Sequence, residues 1–221
     1  MLNLGRLKQR LYNPSCLNCG SFFVQDHLFC RECFAEKIEP ELNIQDQFIQ
    51  EKLRHYFLVK WVPWQSDLLS RLIYQLKNNK SSAAWQCYAE QFILALSDHL
   101  PSDFFDAIVP LPGSTRNSSH SILFANALAV YFGCPVLNCL EKFLGQPEQK
   151  IKNAQQRREL ASTIFLREKD EFFTQQMFKN MRILYVDDVL TTGSTFIQSY
   201  QALCSRSDSC VFTLFHRTKN N

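Results

Sequence analysis

The chain has 221 residues, 46% of them apolar, enough for one full core or a domain plus a small module. Its net charge of +3 is too weak by itself to argue for nucleic acid. The longest nearly apolar run, Ile122 to Phe132, contains Asn126 and is far short of a membrane span. Met1 to Tyr12 carries Arg6, Lys8 and Arg10 but no apolar run fit for a signal peptide, so a soluble cytoplasmic protein without membrane insertion is expected.

Two C-x-x-C pairs come first, Cys16-Leu-Asn-Cys19 and Cys30-Arg-Glu-Cys33, with ten residues between them. Nine cysteines in all is an odd count, which argues for thiolates in a reducing compartment rather than a disulfide scaffold. Four thiolates at this spacing favour a structural Zn2+ on Cys16, Cys19, Cys30 and Cys33, with no position left open for catalysis. A redox C-x-x-C would need a βαβ setting that this segment lacks. His27, between the pairs, is either an alternative ligand or a surface-loop residue. Residues 34 to 54 are polar and read as a helical connector, so the expected division is a zinc module with its connector over 1–54 and a second domain over 55–221.

Tyr56 to Val62 is rich in strand formers and is stopped by Pro63. Ser66 and Asp67 can cap a helix whose Leu68, Leu69, Leu72, Ile73 and Leu76 share one face. A second helix runs from about Ala83 to Leu100. Phe104 to Leu111 reads as a buried strand leading into Pro112-Gly-Ser-Thr-Arg116, which is either an anion-binding loop or a plain turn. A helix then runs through Phe132 with Gly133 as its cap, and Cys134 to Leu137 reads as a short strand. The basic stretch from Glu141 to Arg158 is either a solvated helix or a flap. Val211 to Phe215 is the last strand. Strands alternating with helices imply an α/β fold with a mostly parallel sheet.

The most informative stretch is Arg182-Ile-Leu-Tyr-Val-Asp-Asp-Val-Leu-Thr-Thr-Gly-Ser-Thr195. Ile183 to Val186 reads as a buried strand that ends at Asp187 and Asp188. Thr191, Thr192, Gly193, Ser194 and Thr195 make a turn of small residues ahead of a helix. Such a turn offers free N–H groups and a positive dipole end to a phosphate. The two carboxylates suit hydroxyls, a cation, or both. A ribose 5-phosphate would use both halves.

This stretch resembles the PRPP-binding motif of type I phosphoribosyltransferases, an apolar strand, Asp-Asp, two apolar residues and Thr-x-Gly-x-Thr. The resemblance implies a PRPP site built from Asp187, Asp188, Val189, Leu190, Thr191, Thr192, Gly193, Ser194 and Thr195, with Arg116 added from the earlier loop. It also implies Mg2+ on the ligand's diphosphate and Asp187 and Asp188 as the catalytic pair. Purine-salvage relatives often have an acid where Thr191 stands, so a purine-salvage reaction is disfavoured.

The order of the pieces goes further. A four-Cys module, a Val-Pro-Leu-Pro strand end, Lys77 in Tyr74-Gln-Leu-Lys77 and the C-terminal Asp-Asp motif together resemble the ComF family of competence proteins. The usual Arg-Gly-Phe-Asn-Gln after the Val-Pro strand is missing, and Ala161 stands where that family commonly has Asn. The resemblance implies a phosphoribosyltransferase-like fold and a role in natural transformation, handling incoming single-stranded DNA. Candidate DNA contacts are Lys150, Lys152, Arg157 and Arg158, with Arg6, Lys8 and Arg10 as a second basic group. Tyr12, Phe22, Phe23 and Phe29 could stack on bases. Three readings stay open: a DNA-uptake factor with a PRPP-type site, an active PRPP-dependent transferase with an unknown acceptor, and a non-catalytic scaffold for a DNA translocase.

Overall fold

The computed structural model describes residues 15–65, 67–78, 82–96, 100–113, 120–142, 164–166 and 175–218. Strand β6 (Ile183–Leu190) lies inside the sheet. Its Ile183, Leu184, Tyr185 and Val186 are all fully buried, as a strand covered on both faces requires. It pairs in parallel with β3 (Ala107–Pro110) on one side and β7 (Cys210–Arg217) on the other. Next to β7 comes β2 (Leu53–Trp61), also parallel, and then β1 (Gln45–Ile49), antiparallel at the edge. The order is β1-β2-β7-β6-β3.

Helices cover both faces. On one side, α2 (Asp67–Asn78), α3 (Ser82–Leu96) and α4 (His120–Phe132) bring Leu72, Trp85, Phe92, Phe124 and Leu128 onto Leu184, Val186 and Phe212. On the other, α6 (Ser194–Leu203) and the short α5 (Gln175–Phe178) bring Phe196, Ile197 and Phe178 onto Ile183, Tyr185 and Val211. The fold class is therefore the expected one: α/β, a mostly parallel sheet flanked by helices, with a four-Cys cluster near the N-terminus. Among the described residues no helix is long and apolar enough to cross a membrane.

The cysteine segment packs into the first of these cores. Cys16, Leu28, Phe29, Cys30, Cys33 and Ile38 belong to the same buried cluster as Tyr56, Leu58 and Tyr88. The Tyr88 hydroxyl donates to the carbonyl of His27 at 2.9 Å.

Three local readings are corrected. The stretch from 34 to 54 is not a helical connector. Its helix, α1 (Arg31–Lys37), stops early, a 3-10 turn follows over Glu39–Glu41, and a hairpin formed by β1 and β2 completes it. The polar composition hides an edge strand whose inward side chains find polar partners: Gln47 Nε2 reaches Nδ1 of both His55 (3.2 Å) and His216 (3.1 Å). The turn carries no Asn-Gly signal, since Gln50 (φ 49°) and Glu51 (φ 58°) take the left-handed positions. Cys134 to Leu137 makes only a single parallel bridge, Val136 to Ile108, because Pro135 has no N–H to extend a ladder. Glu141 and Lys142 lie in β4 (Leu140–Lys142), which pairs with β5 (Ile164–Leu166) as a separate small sheet, so no helix begins at Glu141; the rest of the stretch to Arg158 lies outside the described residues.

Candidate functional site

The helix after β3 and the helix after β6 lie on opposite faces of the sheet, α4 in one core and α6 in the other. The crevice at the carboxyl ends of β3 and β6 is thus a topological switch point, the place where open α/β sheets take ligands. Backbone pairing continues past β3 through the Leu111 N–H to the Val186 carbonyl at 2.9 Å. Ser121 Oγ ties the start of α4 to the Leu111 carbonyl at 2.8 Å.

On the β6 side the turn is Thr191-Thr192-Gly193. Gly193 is the N-cap of α6, left-handed at φ 75°, and makes no side-chain cap bond to the helix. The Ser194 N–H makes a long contact to Thr192 Oγ1 at 3.5 Å, and the other N–H groups of the first turn are left to solvent or ligand. Thr191, Thr192 and Ser194 are exposed, and the Thr192 and Ser194 hydroxyls lie 3.1 Å apart. Gly193 is required twice over. Its φ disfavours any side chain, and a Cβ there would stand 2.6 Å from Ile49 Cγ2. The edge strand β1 thus forms the floor of the turn.

The strand continues through the dyad to Leu190 rather than ending at it. Asp187 is half-buried and turns back so that its Oδ1 accepts from the Asp188 N–H at 2.9 Å. Burial first, and the Asp188 charge second, push the Asp187 carboxyl well above its ordinary range. Asp188 is 4% exposed. Lys77 Nζ, from the last turn of α2, lies 3.1 Å from Asp188 Oδ2, and His120 Nε2, the first residue of α4, lies 3.7 Å from Oδ1. The Lys77 contact is ionic without hydrogen-bond geometry, since Oδ2 accepts no hydrogen bond. Burial lowers the His120 imidazole against the pull of Asp188, so the ring is neutral near pH 7. The crevice thus offers anion-facing N–H groups at one end and buried carboxylate acceptors at the other.

The four cysteines converge as their spacing predicts. Their sulfurs all lie within 4.8 Å of one another. A tetrahedron with bonds of about 2.3 Å has edges of roughly 3.8 Å, and Cys19 Sγ and Cys30 Sγ are 3.7 Å apart. The first knuckle is closed by Gly20 N to the Cys16 carbonyl (3.0 Å) and Cys16 N to the Ser21 carbonyl (2.8 Å). Burial raises the Cys16 thiol, but the N–H groups of Cys19, Cys30 and Asn18 outweigh it and bring it down to about 6. Asn18 Nδ2 donates to Cys33 Sγ at 3.2 Å. That bond favours the thiolate, yet burial and the three neighbouring sulfurs push Cys33 up to about 12. Without a cation four thiolates cannot coexist at this distance; the all-sulfur donor set is compatible with a structural zinc.

No established family profile matches this sequence, and no curated protein does. Solved structures are similar in part, among them two enzymes. One is the allosteric regulatory enzyme of purine biosynthesis, with a TM-score of 0.39 and 16% identity over 65% of this chain and 29% of that one. The other is adenine phosphoribosyltransferase from Leishmania donovani, with a TM-score of 0.33 and 13% identity over 60% of this chain and 64% of that one. The matched region spans less than two thirds of either protein.

Of the residues singled out in the sequence, the structure brings together Asp187, Asp188 and the 191–195 turn, and separately the four cysteines. Val189 is half-buried and Leu190 buried behind the dyad. Arg116, Lys150, Lys152, Arg157, Arg158, Arg6, Lys8, Arg10 and Tyr12 lie outside the described residues. Phe29 is fully buried and offers no face for stacking, whereas Phe22 and Phe23 are 78% and 85% exposed. His27 is neither a ligand nor a surface residue. It is buried, stacks on Phe34 at 3.9 Å, bonds to Gln25 through Nε2 and accepts the Phe29 N–H at Nδ1. Sequence reasoning missed His120 and Ile49 at the site. A lone His at a helix start and an apolar residue in a polar stretch carry no signal of their own.

Proposed function

We propose that the crevice between β3 and β6 binds a phosphoribosyl ligand of the PRPP class. Its 5-phosphate would sit on Thr191 to Thr195 and its ribose hydroxyls on Asp187 and Asp188, with Val189 and Leu190 as the strand behind them and Arg116, which follows β3 in sequence, as a further candidate contact. The observation that carries this reading is the pairing, on one strand end, of a glycine-led helix N-terminus with a carboxylate dyad. A phosphate needs the first and vicinal hydroxyls need the second. If the ligand turns over, the bond from ribose C1 to the diphosphate breaks as a bond to an acceptor forms, and the diphosphate leaves. The dyad would then fix C1 by holding the neighbouring hydroxyls. Thr191 supplies no base, so the acceptor's proton must leave by another route. Zn2+ is assigned to Cys16, Cys19, Cys30 and Cys33 as a structural ion. Mg2+ would serve the ligand's diphosphate, while Asp188 Oδ2 faces the Lys77 ammonium at 3.1 Å, and no step is assigned to the ion.

Calorimetry with PRPP tests the site. Hydrogen bonds to charged groups contribute about 1.5–3 kcal/mol each, so Asp187→Asn with Asp188→Asn should weaken binding at least about tenfold. Equal affinity in wild type and double variant would place the ligand elsewhere, and no binding in either would leave the scaffold reading. Asp187→Asn alone carries a second readout. The folded Asp187 carboxyl binds its proton more tightly than the ordinary value of 3.8, so the folded state loses stability as pH rises above about 4. Asparagine removes that loss. The variant should melt at a higher temperature than wild type at pH 7 and gain nothing below about pH 4.

The ComF resemblance extends the reading to a cytoplasmic competence factor that handles incoming single-stranded DNA. The exposed Phe22 and Phe23 beside the knuckles favour it by offering aromatic faces. If four phosphates are neutralised, log affinity for a poly-thymidine strand should fall with log salt at a slope of about −2.8. Neutral replacements at Lys150, Lys152, Arg157 and Arg158 should flatten that slope. An unchanged slope would exclude these four residues.

A further inference from the structure

Asp188 lies 4% exposed at the base of the crevice, yet its Oδ2 accepts no hydrogen bond. A buried carboxylate without a partner costs several kcal/mol. Its compensation is the Lys77 ammonium, 3.1 Å away. The Lys77 side chain is 42% exposed, while its head group reaches inward to Asp188. Around the same point, one ligand atom from each of His120, Asp187 and Asp188 lies within 4.8 Å of the others. Nitrogen and carboxylate donors so placed suit a divalent cation. Lys77 faces Oδ2 of Asp188 and His120 faces Oδ1, so an ammonium and a divalent cation would compete for the same carboxylate. Lysine suits the position because its charge is a compact point on a flexible stem.

We propose that Lys77 is a built-in cation of the ligand site: it takes the metal's place on Asp188, so that ribose hydroxyls bind the dyad without a divalent ion and any such ion serves only the diphosphate end of the ligand. The inference rests on the phosphoribosyl reading above. Lys77 acts through Asp188 and is a positioning residue. Its ammonium neutralises one of two adjacent carboxylates and holds the second acceptor in one orientation. Without it the buried Asp188 would lose its compensating charge, and the site would recruit a metal in its place.

Two measurements on the zinc-loaded chain test this. The first uses Mn2+ alone, followed by electron paramagnetic resonance. Wild type should take up no Mn2+ at the dyad. Lys77→Met should take up one ion, and Lys77→Met with Asp188→Asn should lose it again. The second uses ribose 5-phosphate, which has no diphosphate, in metal-free buffer with and without millimolar Mg2+. Wild-type affinity should not respond to Mg2+. Lys77→Met should bind at least about tenfold more weakly without Mg2+ and recover with it, while Lys77→Arg should keep most of the affinity. Lys77→Gln, checked by its melting curve, guards against a folding defect in the Met variant. Mn2+ bound at the dyad of wild type, a wild-type affinity that depends on Mg2+, or a Lys77→Met variant unchanged in both assays would overturn the proposal. If wild type ignores ribose 5-phosphate while the Mn2+ results hold, the phosphoribosyl reading falls and the lysine's place on Asp188 stands.

Discussion

Replacing Cys30 by serine is expected to release the metal and to destabilise far more than the knuckles themselves. Structural zinc on such ligands contributes about 10–16 kcal/mol of binding that is also folding free energy. Whole domains are stable by only about 5–15 kcal/mol. The cysteine segment is not a free-standing appendage in its contacts. Leu28, Phe29 and Ile38 share a buried cluster with Trp85, Tyr88 and Leu72, and Tyr88 is bonded to the His27 carbonyl. Loosening residues 15–33 therefore uncovers α2 and α3. A loss of even some 4 kcal/mol, at about 2–4 °C each, lowers Tm by roughly 8–16 °C. Elemental analysis and calorimetry of wild type, of Cys30→Ser and of chelator-treated wild type decide the matter. Zinc-free wild type purified without chelator, or an unchanged Tm in Cys30→Ser, would refute it.

Gly193→Ala should produce the second large effect, and it should strike stability and ligand binding together. At φ 75° an alanine pays about 1–2 kcal/mol for its Cβ alone. That Cβ also meets Ile49 Cγ2 at 2.6 Å, and Ile49 is 5% exposed with little room to move. Overpacking of this kind costs about 1–3 kcal/mol more, so a total of roughly 2–5 kcal/mol is expected. The turn must shift to relieve the contact, and PRPP affinity should fall with it. Ile49→Ala removes Cγ2 and should recover the overpacking part in the double variant but not the backbone part. A double-mutant cycle with a coupling of about 1–3 kcal/mol is the expected result. Strict additivity would show that β1 is not the floor of the turn.

The wild-type site carries its own cost. Asp187 is held beside Asp188 where its carboxyl resists ionisation, and Asp188 is buried against a lysine drawn from another element. Strain of this kind collects at functional sites.

Much of this was legible in the residues. Ile183 to Val186, a run of apolar residues before two acids, could only be a covered strand, and it is one. The spacing of Cys16, Cys19, Cys30 and Cys33 fixed a four-sulfur cluster, because two residues between ligands close a tight knuckle whatever surrounds it. Gly193 after two threonines marked the helix start, because few residues other than glycine take that backbone angle cheaply. These signals are local: each depends on neighbours within a few positions. Tertiary structure alone decided the rest. Lys77 and His120 reach Asp188 from 111 and 68 positions away in the chain. Ile49 meets Gly193 from an edge strand whose polar alternation resembled a connector and whose turn lacked glycine. His27 and Phe29 looked like loop residues and are buried, because α3 packs over them. Such partners are chosen by which faces of the sheet the helices cover, and no spacing within one segment encodes that choice.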